Sequence, residues 1–122
     1  MLLKLNFNSD IPIYAQIRNG IVMGIATGKI APGQQLPTVR ALSDECGVNV
    51  MTVSKAYQSL KQEGYIEADR RSGTRVCCTN SKEISKENLD ELRLKISELR
   101  LAGFSCEEIL ELCKKIYEEA EK

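Results

Sequence analysis

Small polar side chains cluster at the front of one helix-like segment, and they indicate chemistry of recognition rather than of bond making. The segment spans residues 47–66, and its first turns carry Asn49, Met51, Thr52, Ser54 and Lys55. An apolar stripe at helical spacing accompanies them: Val53, Ala56, Tyr57 and Leu60. A helix that packs on such a stripe exposes its other side to solvent. The exposed amide, hydroxyl and ammonium groups can then hydrogen-bond to another molecule.

By contrast, the sequence lacks the residues that catalysis and metal binding usually require. The 122-residue sequence has no histidine, which removes the commonest general base and the usual partner of a serine or cysteine nucleophile. It contains no P-loop, G-x-G-x-x-G or G-x-S-x-G motif. The five cysteines (46, 77, 78, 106 and 113) form no C-x-x-C pair, so we interpret them as thiols without a metal or redox role. We predict a protein that is not an enzyme and that uses no metal or cofactor.

Charge is divided unevenly along a chain that is neutral overall. Residues 1–80 hold nine Lys/Arg and six Asp/Glu, for a net charge of +3, whereas residues 81–122 hold eight and eleven, for −3. A basic front and an acidic tail indicate two functional parts, which we place at residues 1–79 and 80–122. No apolar run reaches 18 residues and the N-terminus lacks the features of a signal peptide. We therefore predict a cytoplasmic protein without membrane contact.

The front part has the pattern of three helices followed by a hairpin. Ser9 or Asp10 is expected to cap the first helix, whose apolar stripe recurs every four residues at Ile13, Ile17, Ile21 and Ile25. Thr38 and Asn49 cap two further helices, which a turn at Gly47 joins into a helix-turn-helix. A loop with two arginines, DRRSG, then separates two strand-like runs. This is the order of a winged helix-turn-helix domain, whose third helix enters the DNA major groove while the hairpin, or wing, contacts the flanking backbone.

Two features of the front part have less regular patterns. The run LLKLNF near the N-terminus alternates enough to predict a short strand. Gly20 and Gly24 lie inside the first helix, where each costs about 1 kcal/mol relative to alanine. Simple tolerance of these glycines is the preferred interpretation, and close approach of another backbone is the alternative.

The tail beyond residue 80 predicts two antiparallel helices. Their apolar seam comprises Leu89, Leu92, Ile96 and Leu99 in the first helix and Ile109, Leu112 and Ile116 in the second. Gly103 separates the helices, and Ser105 with Glu108 forms a capping box. Because two such helices bury little apolar surface alone, we predict that they pair with a second copy; folding back onto their own winged helix is the alternative. The predicted fold class is mostly α with a small β-hairpin wing: a winged helix-turn-helix domain plus a C-terminal antiparallel two-helix dimerisation unit.

The stretch LPTVRALSDECGVNVMTVSKAYQSLKQEGYIEADRRSGTRV resembles the DNA-binding domain of GntR-family bacterial transcription regulators. The family pattern is matched at Pro32, Gly33, Leu36, Pro37, Arg40, Leu42, Val48, Asn49, Thr52, Val53, Ala56, Tyr57, Leu60, Gly64, Gly73 and Thr74. The resemblance covers about residues 8–78, which places the GntR-type helix-turn-helix at about 11–79, and the short tail is similar to that of the YtrA subfamily. Arg71 and Arg75 depart from the pattern, where the family has a glycine and an aromatic residue. Their charges are expected to strengthen phosphate contacts by the wing.

The resemblance also implies which residues contact DNA. Arg40 corresponds to the family arginine that reaches DNA from the second helix, and its guanidinium suits a bidentate contact to guanine. An ion pair with Asp44 is the competing interpretation for Arg40. The other expected contacts are Asn49, Met51, Thr52, Ser54 and Lys55 in the third helix and Arg70, Arg71, Gly73 and Thr74 in the wing. Among these, Lys55 is expected to hold a phosphate.

We accordingly predict a sequence-specific, double-stranded-DNA-binding transcription regulator. It is expected to act as a repressor and as a homodimer on a pseudo-palindromic operator with half-sites about one helical turn apart. The resemblance to the YtrA subfamily implies control of transporter genes. The alternative is a winged-helix module for protein–protein interaction that binds no specific DNA sequence. A small-molecule effector is left open, because the sequence indicates no pocket for one.

Overall fold

The described residues, 3–69, 73–77 and 83–120, form five helices and one two-stranded hairpin. The structure is a computed structural model. The chain divides into unit 1, Met1–Cys78, and unit 2, Thr79–Lys122. Unit 1 contains α1 (Ile13–Ala26), α2 (Val39–Cys46), α3 (Val50–Gln62), β1 (Ile66–Asp69) and β2 (Gly73–Val76); unit 2 contains α4 (Lys86–Leu101) and α5 (Cys106–Ala120). The predicted fold class is confirmed.

An apolar core joins the three helices and the hairpin of unit 1. The predicted stripe of α1 supplies Ile17 and Ile21, both fully buried. The other core side chains are Ile30, Leu36, Leu42, Val53, Ala56, Tyr57, Leu60, Ile66 and Val76. Burying a large aliphatic or aromatic side chain contributes roughly 1.5–3 kcal/mol. The core therefore fixes α3 by the apolar stripe that the sequence indicates.

The caps of α2 and α3 also lie where the sequence predicts them. The Thr38 hydroxyl accepts a hydrogen bond from the Ala41 N–H at 3.0 Å, and the Asn49 side chain accepts one from the Met51 N–H at 2.7 Å. Between the helices, Gly47 has a φ of 68°, a left-handed conformation that glycine adopts without steric cost. The helix-turn-helix thus has a defined end for α2 and a defined start for α3.

The predicted cap of α1 is wrong. The N-cap residue is Pro12, and no side chain caps this helix. The Ser9 hydroxyl instead accepts a hydrogen bond from the Ile11 N–H at 3.1 Å, within the turn that precedes the helix. The Gln16 side chain binds the same turn, because its amide donates to the Ile11 carbonyl at 2.9 Å.

The predicted N-terminal strand is also wrong, because residues 3–6 form no regular structure. Their alternation reflects packing, since Leu3 and Leu5 contact the core. Leu3 explains Gly20 as well: a Cβ on Gly20 would lie 2.7 Å from the Leu3 Cδ2 atom. At Gly24, a Cβ would lie 2.8 Å from the Ile30 Cδ1 atom. The alternative interpretation, close approach of another backbone, is wrong at both glycines, because the atoms nearest to an added Cβ belong to the side chains of Leu3 and Ile30.

We predict opposite results for alanine at the two glycines. Alanine favours a helix interior over glycine by about 1 kcal/mol. Gly24→Ala should nevertheless lower the melting temperature, because Ile30 is buried and overpacking costs about 1–3 kcal/mol. Gly20→Ala should leave the melting temperature unchanged or raise it, since the half-buried Leu3 side chain can move. Thermal unfolding of both variants tests this, and a larger loss for Gly20→Ala would contradict it.

A segment that leads into α2 lies beside the two strands of the wing and forms an isolated β-bridge between Gln35 and Arg75. β1 and β2 pair antiparallel. The segment Gly33–Leu36 lies along β2: the Gly33 N–H donates to the Val76 carbonyl at 3.1 Å, and the Leu36 N–H donates to the Thr74 carbonyl at 2.8 Å. The Val76 N–H in turn donates to the Gln34 carbonyl at 3.0 Å. Backbone hydrogen bonds therefore connect the wing to the residues that lead into α2.

A partly exposed ion pair connects α1 to the end of α3. The Arg18 guanidinium binds the Glu63 carboxylate through two nitrogens, at 3.0 and 2.5 Å. The Arg18 guanidinium also lies over the Tyr65 ring, 5.6 Å from its centroid. These hydrogen bonds from Arg18 lower the pKa of Glu63 against the opposing effect of burial.

Glu63→Gln should lower the free energy of unfolding at pH 7 by about 1 kcal/mol, since a partly exposed charged pair is screened by solvent. Because the folded-state pKa is depressed, the stabilisation is complete above the unfolded pKa of about 4.3 and is lost as the pH falls further. The difference between wild type and variant should therefore shrink from pH 5 to pH 3 in urea titrations. The exposed Asp44→Asn is the matched control, with a change within about 0.5 kcal/mol. A pH-independent difference for Glu63→Gln would contradict the prediction.

Unit 2 is a helical hairpin with the predicted capping box. The Glu108 N–H donates to the Ser105 hydroxyl at 3.2 Å, and the Ser105 N–H donates to the Glu108 carboxylate at 3.0 Å. The bond from the Ser105 backbone lowers the pKa of Glu108. Ile109 is buried, whereas Leu92, Ile96 and Ile116 of the predicted seam stay exposed. The helix pair therefore leaves part of its own apolar seam uncovered. No helix in the described part of the chain is long and apolar enough to span a membrane.

Candidate nucleic-acid interface

The front of α3 has one buried and one exposed side. Val53 is fully buried, whereas Met51, two residues earlier, is 73% exposed. Asn49 and Lys55 are also exposed, and Thr52 and Ser54 are half-buried. The side chains predicted to contact DNA from α3 therefore line the solvent side of its first turns. Because α3 is held by its buried stripe, this solvent side is presented on a rigid element.

Arg40 lies in the first turn of α2 and its side chain is exposed. The competing ion pair with Asp44 is absent, since the ion pairs between described residues involve neither Arg40 nor Asp44. α2 packs against α3. The Tyr57 hydroxyl also donates to the Pro37 carbonyl at 2.7 Å, which ties α3 to the approach to α2, and burial raises the pKa of Tyr57. Tyr57 thus stays protonated and keeps its donor for this bond.

Two of the four wing residues expected to contact DNA lie in the part of the chain that the structure describes. Arg70 and Arg71 lie outside the described residues. Gly73 begins β2 with a φ of 76°, in the left-handed region. Thr74 follows it and accepts the backbone bond from Leu36. Gly73 and Thr74 are therefore attached, through the segment Gly33–Leu36, to the start of the helix that carries Arg40.

Arg75 differs from the expectation that it adds free positive charge to the wing. Its Nε atom lies 3.4 Å from a Glu67 carboxylate oxygen, and its Nη2 atom lies 3.8 Å from an Asp69 carboxylate oxygen. Glu67 is directly opposite Arg75 in the strand register. The guanidinium of Arg75 is thus paired with carboxylates of the same hairpin.

Lys55 is also held in place, by an aromatic ring rather than by a carboxylate. Its Nζ atom lies 4.0 Å from the centroid of the Tyr14 ring. Tyr14 is in the first turn of α1 and is half-buried. Sequence reasoning missed Tyr14, because no local pattern links it to a lysine in a different helix.

The sequence of this chain matches a known family over most of unit 1. The profile described as "Bacterial regulatory proteins, gntR family" matches residues 13–76. The chain belongs to the GntR family. This assignment confirms the resemblance, and the prediction that the chain is not an enzyme agrees with relatives that are transcriptional regulators. Within the GntR domain, the matched residues include α1, α2, α3 and both strands.

Three curated relatives of this GntR-family chain are transcription regulators. The repressor YtrA of Bacillus subtilis is 33% identical over 120 residues, which cover 94% of this chain and 92% of YtrA. The regulator Rv1152 of Mycobacterium tuberculosis is 35% identical over 72 residues, and that match covers 59% of this chain and only 60% of Rv1152. The mannosyl-D-glycerate transport/metabolism system repressor MngR of Escherichia coli is 42% identical over 65 residues, which cover 53% of this chain and 27% of MngR.

Solved structures agree with the GntR assignment. A transcriptional antiterminator from Listeria monocytogenes EGD-e has a TM-score of 0.82 and 30% identity. The match covers 100% of this chain and 94% of the antiterminator chain. YtrA from Sulfolobus acidocaldarius, a GntR-family transcription factor, has a TM-score of 0.60 and 32% identity. The match covers 98% of this chain and 100% of that YtrA chain. The DNA-binding domain of AraR in complex with operator ORX1 has a TM-score of 0.55 and 32% identity, covering 62% of this chain and 96% of that domain. A GntR-type unit of this fold is thus compatible with operator binding.

Proposed function

We propose that this GntR-family protein is a sequence-specific regulator that binds double-stranded operator DNA through α3, the start of α2 and the wing. The observation that carries the proposal is the two-sided character of α3, whose apolar stripe is buried while Met51 is 73% exposed. Short hydroxyls and one ammonium accompany Met51 there. An element this rigid with polar groups at its N-terminal turns suits base-edge contacts in a major groove. The operator-bound AraR domain, which shares the fold, supports the same reading.

We further propose that the protein acts as a cytoplasmic homodimer through unit 2. Leu92, Ile96 and Ile116 leave exposed apolar surface on the seam, and helices of a small hairpin gain stability when such surface is covered. The dimerisation contacts would come from the seam: Leu89, Leu92, Ile96, Leu99, Ile109, Leu112 and Ile116. Two-fold symmetry then predicts a pseudo-palindromic operator.

Repression is the proposed direction of regulation, and transporter genes are the proposed target. The support for repression is the similarity to YtrA of Bacillus subtilis over nearly the whole chain. The support for a transport target is the similarity to the transport/metabolism system repressor MngR, which matches 53% of this chain. A reporter gene placed behind the operator should be transcribed less when the protein is expressed.

Selection of bound duplexes from a random library tests the proposal. The full chain is incubated with the library, bound duplexes are amplified over several rounds, and the enriched pool is sequenced. We expect an inverted repeat with half-sites about one helical turn apart. A single unrepeated motif would contradict the homodimer and keep the DNA-binding function. A pool without enrichment would contradict DNA recognition and favour the protein–protein interaction module.

A further inference from the structure

The Lys55 ammonium has a defined position in the structure although its side chain is exposed. Its Nζ atom lies 4.0 Å from the Tyr14 ring centroid, well within the range of an attractive cation–π contact. None of the ion pairs between described residues includes Lys55. The only other cation–π pair among the described residues, Arg18 with Tyr65, involves an arginine that Glu63 already holds. Among the described residues, Lys55 is therefore placed by the aromatic face of Tyr14 alone.

We propose that Tyr14 is a positioning residue for DNA binding, whose ring holds the Lys55 ammonium beside α3 ready for a phosphate. This inference rests on the proposed function. It adds a residue of α1 to the recognition surface, through its effect on Lys55 rather than through a contact with DNA.

The exposed Lys55 side chain leaves α3 on its solvent side. Residues four apart in a helix lie on one side of it, so Lys55 shares the side of Met51, which is 73% exposed. The buried stripe of Val53 and Ala56 faces away from this side. The ammonium thus lies on the side of α3 that would meet DNA.

The ring contact of the Lys55 ammonium is compatible with a phosphate contact. An ammonium group has three N–H donors, and a ring face occupies one side of it. The remaining donors can reach phosphate oxygens. Because a free lysine loses much rotamer freedom when it is fixed, a lysine that is already restrained loses less on binding. Tyr14 can act as the restraint since it is half-buried and packs against the core.

A double-mutant cycle tests the inference. Affinity for the selected operator is measured for wild type, Tyr14→Leu, Tyr14→Phe, Lys55→Met and the Tyr14→Leu/Lys55→Met double variant. Tyr14→Leu should weaken binding about two- to fivefold, the equivalent of an exposed cation–π contact. Tyr14→Phe keeps the ring and should bind as wild type does. In the Lys55→Met background, Tyr14→Leu should have no further effect.

Two further readouts separate positioning from a structural role. Thermal unfolding identifies variants that fail to fold, and Tyr14→Phe supplies a variant with conserved packing. In the NMR spectrum of the free protein, the ε-methylene protons of Lys55 should show an upfield ring-current shift that Tyr14→Phe keeps and Tyr14→Leu abolishes.

The results that would overturn the inference are distinct. An equal loss for Tyr14→Leu in both backgrounds would mean that Tyr14 acts through packing alone. A loss for Tyr14→Phe would mean that the hydroxyl is the contacting group, and tighter binding by Tyr14→Leu would mean that the ring competes with phosphate. If wild type itself enriches no duplex, the proposed function fails and this inference fails with it; if wild type binds and the cycle is additive, only this inference fails.

Discussion

An Arg40→Ala variant is expected to bind the selected operator about 1–3 kcal/mol more weakly and to lose its preference at one base position in each half-site. The reason is that Arg40 is exposed in the first turn of α2 and, unlike Arg18 and Arg75, enters none of the ion pairs between described residues. Its five guanidinium donors are therefore open to the two acceptors of a guanine. Repeating the duplex selection with the variant measures both effects.

Two further variants, Arg40→Lys and Lys29→Ala, separate the reading of a base by Arg40 from the effect of its charge. Arg40→Lys keeps the charge but loses the bidentate geometry, so it should lose the base preference while retaining the slope of affinity against salt. Lys29→Ala removes an exposed charge from unit 1 outside the proposed surface, and the base preference should not change. If Arg40→Ala keeps the full preference at every position, Arg40 does not read a base.

An Ile96→Glu variant is expected to be monomeric and to bind a full palindrome no more tightly than a half-site. Ile96 is 39% exposed in the single chain, so the substitution costs the hairpin itself little. In a dimer, covering the exposed part of each Ile96 side chain would contribute about 1 kcal/mol per copy, and the variant would lose this contribution while two carboxylates entered the seam at a further cost. The dimer should therefore dissociate at least about 100-fold more readily. Analytical ultracentrifugation over a concentration series measures this dissociation.

Leu94→Glu is the matched control for Ile96→Glu. Leu94 is 60% exposed on the same helix, two residues away and thus on a different side from the seam. It should leave both the dimer and the operator affinity unchanged. Dissociation by Leu94→Glu with no effect of Ile96→Glu would place the interface on the other side of α4, and retention of the dimer in both variants would contradict dimerisation by α4.

Local signals explain why so much of the fold could be predicted. Thr38 and Asn49 cap helices by bonds to backbone N–H groups two or three residues away, and Gly47 ends α2 by its own conformation. Ser105 and Glu108 form their capping box within four residues. Each of these bonds depends only on neighbouring residues, which a sequence displays directly.

Features that depend on tertiary packing could not be predicted in the same way. The alternation of Leu3 and Leu5 is indistinguishable in sequence from that of a strand, but no described strand pairs with these residues and both side chains pack on the core. The neutralisation of Arg75 depends on which residues of β1 face it. The cation–π contact of Lys55 depends on α1 crossing α3 near Tyr14. The candidate site was therefore predictable as a set of residue types, whereas the state of two of its charges was not.

The segment Gly33–Leu36 beside the wing has a consequence for how recognition can change over evolution. It is bonded to β2 through main-chain amides and carbonyls, which are the same for almost any amino acid. Substitutions can therefore change which groups the wing and the N-terminus of α2 contact, while the distance between the wing and α2 stays constant. New target sequences become accessible by exchanging single residues, without rebuilding the scaffold that spaces them.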